Sequence, residues 1–376
     1  MNASLSVWMD LCRVLAAAVV FVGHARGLGL APEAVAAHWH RTAEDAVDAF
    51  FVISGYVIAW STARAGSGMR DYVEARASRV YSVAVPAVLM ALAMDLVGMR
   101  FDASLYDADW QYPRLWLYLP LHWAFLGGTW IGPMDPFSMA SYWSLPYEVW
   151  YYALFGCATL LTGVQRRIGV TVVMALMGPR MWLLLPCWWL GVLLHAHLDR
   201  WRMNAAAARL LMGFAVMTYV VFVASGGRAS VDLASKHLYT WFNTWLPLPF
   251  VRGGTVHALS DYVVVVLFGL FLVGCASARI NFGRHSTQLI RSLAGYTFSL
   301  YLIHYSLLVL LGAMGVAATD WIAFAGVMAL TALLTWGLAQ VGEMRRSVYR
   351  RAVVALLDLG LCAVKRLRSI GDARPG

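Results

Sequence analysis

The feature that most limits what this chain can fold into is a succession of apolar runs, each close to the ~20 residues a helix needs to cross a bilayer. Runs at 7–24, 46–61, 81–98, 147–163, 167–179, 181–198, 208–225, 260–277, 294–313 and 320–340 read as spanning helices. Composition agrees: 61% of the 376 residues are apolar and 13% charged, against about 45–50% and about 25% in soluble domains. A surface facing water needs more charge than that. The expected fold is all-α, a polytopic transmembrane helical bundle of about ten helices. A disulfide-stapled secreted domain, a disordered chain and a soluble nucleic-acid binder are excluded. The net charge of +9 reads as cytoplasmic loops and tails, with no nucleic-acid partner.

Arginine placement orients the bundle. Arg64, Arg70, Arg76 and Arg79 cluster at 61–80, and Arg345, Arg346, Arg350, Arg351, Lys365, Arg366, Arg368 and Arg374 at the end of the chain. The positive-inside rule puts both clusters in the cytoplasm. Arg166/Arg167, Arg200/Arg202 and Arg279/Arg284/Arg291 want the same side. All are satisfied if 98–146 makes no net crossing. Segment 115–130, broken by Pro120 and Gly127-Gly128, is then re-entrant or interfacial, with ten crossings and both termini inside. Eleven crossings, one cluster violating the rule, is the alternative. Two long loops are expected, 98–146 and 226–259, the second extracytoplasmic. Asp10 and Arg13 inside the first run argue for a retained helix rather than a cleaved signal peptide. Residues 1–343 form one membrane domain and 344–376 a basic cytoplasmic tail. The five cysteines, widely spaced and mostly in apolar runs, read as apolar packers.

Ionisable groups inside apolar helices cost several kcal/mol and are functional candidates by default. Arg13 and His24 stand 11 residues apart, three helical turns plus roughly 20°, so they share a face about 16 Å apart; two unrelated interfacial residues would show the same spacing. Ser54-Gly55 lies mid-helix, where a small pair also serves plain helix packing. Glu148 opens an apolar helix, where the dipole alone favours a carboxylate. Ser299 and His304 sit among aliphatics, where a lone His is more often structural. His195-x-His197 lies about 200° apart on a helix, and His38-x-His40 lacks an acidic partner set, so no metal is expected.

Together these segments resemble the acyltransferase 3 family of integral membrane acyltransferases, with four landmarks in family order. They are Arg13-x10-His24; Phe50-Phe51-Val52-Ile53-Ser54-Gly55-Tyr56-Val57-Ile58; Trp143-Ser144-Leu145-Pro146-Tyr147-Glu148; and Ser299-Leu300-Tyr301-Leu302-Ile303-His304. Arg76 and Arg79 match the family's basic cytoplasmic patch, though the proline that usually follows is absent. Glu343 matches its terminal acid, with Met344 in place of the usual proline. The resemblance covers about 5–346. Some relatives append an extracytoplasmic hydrolase-like domain, for which this chain leaves no room.

The resemblance implies an O-acetyltransferase of the inner (plasma) membrane, moving acetyl from acetyl-CoA to a hydroxyl of a glycan or lipid-linked saccharide. A neutral His suits deprotonation of a poor nucleophile, so His24 is expected as general base. Glu148 would orient it and Arg13 hold the donor in line. Arg76 and Arg79 would clamp the CoA phosphates, and Ser54, Trp143, Ser144 and His304 would line the substrate site. The sequence places no base beside Ser54, which argues against an acyl-Ser54 intermediate. A transporter or flippase for an anionic lipid-linked substrate is the rival, but no repeated halves are visible. A structural scaffold explains none of the intramembrane charges. His24 and Glu148 are expected at similar depth, in one pocket.

Overall fold

The computed structural model describes residues 3–372 apart from 36–38, 67, 107–111, 131–134 and 246–253; His38, Arg252 and Arg374 fall outside the described residues. The described chain is an all-α bundle with no strand. Helices α1 (Ala3–Gly27), α2 (Trp39–Ala65) and α3 (Met69–Gly98) lead, and short α4 (Leu115–Trp123) follows. Next come α5 (Ser144–Leu160), α6 (Gly163–Met177), α7 (Pro179–His197), α8 (Ala205–Ala224), α9 (Gly227–Trp245) and α10 (Ala258–Ser277). The last are α11 (Arg284–Ala294), α12 (Thr297–Ala313), α13 (Trp321–Val341) and α14 (Arg346–Asp372).

Among the described residues, seven helical stretches are long and apolar enough to cross a bilayer, or eight when α11 and α12, bent by 51° at their break, count as one. The two runs behind the expected ten that fall short are α5 and α6, of 17 and 15 residues. At 1.5 Å per residue they reach about 25 and 22 Å, against ~30 Å of hydrocarbon. They are consecutive, so counting both or neither leaves every other segment on the same side. Helix α4, nine residues long, reaches about 13 Å and cannot span.

Irregular backbone at membrane depth needs partners, and buried or half-buried aromatics provide them around α4. Tyr81 donates to the Trp123 carbonyl (2.9 Å), Tyr142 to that of His122 (2.8 Å), and Trp150 Nε1 to that of Phe125 (2.9 Å). Asp95 on α3, fully buried, accepts from the Ser138 backbone and hydroxyl and from Tyr112. Those bonds fix the chain that leads into α5.

One expected loop is largely a helix. Within 226–259, α9 carries apolar and polar residues on opposite faces, a pattern suited to an interfacial helix. Buried Arg228 pairs with Asp45 of α2, which also accepts from Tyr219 at 2.7 Å. Farther along, Asp232 meets Arg41 at 3.2 Å. The expected basic tail likewise contains α14, which packs along α3 with Arg350 paired to Glu74 and Arg70 to Asp358.

Candidate active site

Helices α2 and α7 touch backbone to backbone. A β-carbon on Gly55 would lie 2.1 Å from the Trp188 carbonyl oxygen, and one on Gly191 2.0 Å from that of Val52. Only glycine permits this approach. It brings the Trp188 indole within reach of Ser54, whose Oγ accepts from Trp188 Nε1 at 3.2 Å. The Ser54 hydroxyl donates to Glu148 Oε1, and the Tyr152 hydroxyl donates to the same oxygen. Tyr152 and Ser54 oxygens are 3.1 Å apart. Glu148 and Tyr152, one turn apart on α5, share a face, and Pro146 sits in the first turn, where a missing N–H costs nothing. A carboxylate therefore stands beside Ser54 after all, contrary to the sequence expectation.

This cluster lines a cavity whose wall includes Arg13, Arg76, Arg79, Ser144 and Tyr301. Arg76 donates to Ser61 at 3.2 Å and lies 5.9 Å from the Tyr72 ring centroid. Arg13 and Arg79 are shared with a second opening, where Arg291, Arg346, Asp10 and Glu343 join them. Arg13 and Asp10 are 3.6 Å apart. Glu343 is anchored by Ser299, whose hydroxyl donates at 2.9 Å and whose N–H donates at 3.3 Å.

The expected set thus divides in two. Arg13, Ser54, Arg76, Arg79, Ser144 and Glu148 line the cavity. His24 and His304 are not among the described residues lining it; they face each other, Nδ1 of His24 to Nε2 of His304 at 2.8 Å, rings stacked at 5.1 Å. The expectation that His24 and Glu148 share a pocket is not met. Tyr301 stands between the groups: it lines the cavity, bonds to Ser144 at 2.8 Å, and its ring centre is 6.4 Å from that of His304. Trp143 also stays out of the lining, packed edge-on against Phe51 and Tyr147.

The histidine pair has a defined polarity. His304 Nδ1 lies 2.8 Å from the Leu300 carbonyl, which can only accept, so Nδ1 carries a proton. With His304 neutral, its Nε2 accepts, and His24 Nδ1 must donate. The lone pair of His24 is then on Nε2. The group that fixes the His24 tautomer is His304 rather than Glu148.

Sequence reasoning passed over Tyr152, Trp188, Tyr301, Arg291 and Arg346 as site residues. Tyr152 had a signal, its i+4 spacing from Glu148. His195 packs edge-on against Tyr56 and His197 lies against Trp201; no group of three or more metal-ligating side chains occurs among the described residues.

Fold and cavity together define a polytopic membrane protein with a largely apolar site inside its helical bundle, into which Arg13, Arg76, Arg79 and Glu148 bring charge. The sequence model of the acyltransferase 3 family, described as an acyltransferase domain, matches residues 6–340, nearly the whole chain, and the protein belongs to that family. Neither curated proteins nor solved structures yield a significant match.

Proposed function

We propose that this membrane acyltransferase moves an acyl group, acetyl in the first instance, from acyl-CoA to a hydroxyl of a glycan or lipid-linked saccharide. Its place is the inner (plasma) membrane with both ends cytoplasmic, so the arginine-walled opening receives the donor from inside. The observation that carries this reading is the coincidence of that opening with a cavity holding Arg13, Arg76 and Arg79. CoA is a polyanion, and guanidiniums are the side chains best suited to phosphate oxygens. The family membership sets aside the transporter reading.

The chemistry is a direct transfer. His24 Nε2 takes the proton of the acceptor hydroxyl while its oxygen attacks the thioester carbonyl carbon. The new C–O bond forms, the C–S bond breaks, and the departing CoA thiolate takes up the proton from His24. His304, held by the Leu300 carbonyl, is a positioning residue that keeps the His24 lone pair on Nε2. The donor reaches His24 past Tyr301. Glu148, with its bonds to Ser54 and Tyr152, shapes the donor cavity rather than orienting His24.

The test is release of free CoA thiol by purified protein in nanodiscs, with and without an envelope glycan fraction. Acceptor-dependent release is expected, with matching loss of glycan acylation in cells lacking the gene. A His24→Ala variant should lose about 10²–10⁴-fold in rate, the usual worth of a general base, and His304→Ala should lose less. Unchanged turnover in folded His24→Ala protein refutes the assigned base.

A further inference from the structure

The opening outside the cavity holds two arginines, Arg291 and Arg346, to which the acyl-transfer reading gives no role. Arg13 and Arg79 come from α1 and α3, but Arg291 comes from α11 and Arg346 from the first turn of α14. Four guanidiniums face only two carboxylates there, and both are engaged: Asp10 lies beside Arg13 and Glu343 accepts from Ser299. Arginines crowded at this density repel one another unless an anion sits between them.

Arg346 is placed with unusual care for a residue beyond the last spanning run. Its Nη2 donates to the Ala75 carbonyl at 2.6 Å and its Nε to Ser78 Oγ at 3.3 Å. The preceding Gly342 lies so close to α3 that a β-carbon would come within 2.6 Å of the Ser82 carbonyl oxygen. One turn past Arg346, Arg350 bonds to Glu74, a carboxylate buried in the α3 face. The whole joint between α13 and α14 is therefore clamped on α3, and the clamp holds a guanidinium at the mouth.

We propose that Arg346 is a donor-binding residue that contacts a phosphate of the acyl-CoA, and that the Glu74–Arg350 pair is the positioning contact that holds α14 in place for it. This rests on the acyl-CoA reading above. In a five-donor guanidinium, two N–H groups spent on α3 leave others to turn toward the opening. Helix α14 is thus a functional part of the donor site rather than a solvated basic tail.

The experiment is calorimetric titration of the full-length protein in nanodiscs with CoA and with 3′-dephospho-CoA, alongside donor KM and kcat. Arg346→Ala should weaken CoA about tenfold, the scale of one charge-assisted bond, and raise donor KM with kcat and acceptor KM little changed. Arg346→Lys should recover part of the loss. Glu74→Gln should raise donor KM by a few-fold, and Glu74→Asp should restore it. If the contacted phosphate is the 3′ one, Arg346→Ala discriminates less between the two ligands; an equal drop for both assigns the pyrophosphate. Both outcomes support the proposal. It is overturned if the wild type binds CoA and folded Arg346→Ala, judged by monodispersity and Tm, binds it equally well. It is also overturned if Glu74→Gln lowers kcat with donor KM unchanged and without rescue by Asp, which is the mark of general destabilisation. A wild type that binds no CoA removes the donor reading itself, and with it this one.

Discussion

Replacing Gly55 with alanine should damage the site through its scaffold. The added β-carbon would meet the Trp188 carbonyl oxygen at 2.1 Å and its carbonyl carbon at 3.2 Å. Both are backbone atoms of a packed helix, so no rotamer change relieves them. Ordinary contact begins near 3.4 Å, so α7 must recede from α2 by about 1.3 Å. The Trp188–Ser54 bond, now 3.2 Å, would open to roughly 4.5 Å and cease to be one. Overpacking of this kind costs about 1–3 kcal/mol, and a 1 Å misplacement near reacting groups about 10²-fold in rate. The assay is paired: thermal unfolding in nanodiscs for the first figure, CoA thiol release for the second. Gly191→Ala asks for nearly the same movement, with its β-carbon 2.0 Å from the Val52 carbonyl oxygen. The double variant should therefore cost less than the sum of the singles, since one displacement relieves both clashes. A Gly55→Ala protein with the wild-type Tm and turnover refutes the reasoning, because α2 and α7 could not then be in backbone contact at Ser54.

Two further outcomes are expected. Ser54→Ala should lower turnover about tenfold and leave transfer intact, and mass spectrometry after incubation with acyl-CoA alone should find no acyl adduct; an acyl group on Ser54 with complete loss in the variant would replace direct transfer by an acyl-enzyme route in which Glu148 takes the serine proton. In α9, Ser235 is buried at 5% exposure but Lys236 is exposed, so Lys236→Cys should react with an impermeant maleimide in intact cells; labelling only after permeabilisation would refute cytoplasmic termini.

Much of the cavity is readable from sequence because charge and hydroxyl groups in apolar helices are costly. Arg13, Ser54 and Glu148 stand out against apolar neighbours, Arg76, Arg79 and Ser144 are marked by the family's motifs, and all six line the cavity. The close α2–α7 contact is foreshadowed by Ser54-Gly55. Aromatic partners are not readable in the same way. With 17 Trp and 17 Tyr in the chain, nothing but the i+4 spacing from Glu148 marks Tyr152, and nothing local marks Trp188. Helix α9 reads as a loop because its apolar residues are too few for a span, while the Arg228–Asp45 pair that anchors it joins residues 183 apart.

The histidine pair shows where such a reading stops. The order of crossings expects His24, near one end of α1, and Glu148, at the start of α5, at similar height. The cavity instead holds Glu148 beside Ser54 and at the level of Arg13, about 16 Å of helix rise from His24. What each level of α1 meets is set by which helices are its neighbours there. Helix α1 packs against both α2 and α12. Arg13 faces the cavity, with α2 and α5 around it. His24, three turns on and offset by roughly 20°, meets α12 instead and finds His304. Three turns of rise along one helix face, combined with a change of neighbour, put two residues of that face into different surroundings. Tyr301 lies one turn before His304 on α12, at the boundary between those surroundings, bonded to Ser144 on one side and close to His304 on the other. On the proposed transfer, Tyr301 is the side chain between the cavity and the histidine pair, which makes the Tyr301–Ser144 bond the contact that joins the two halves of the site.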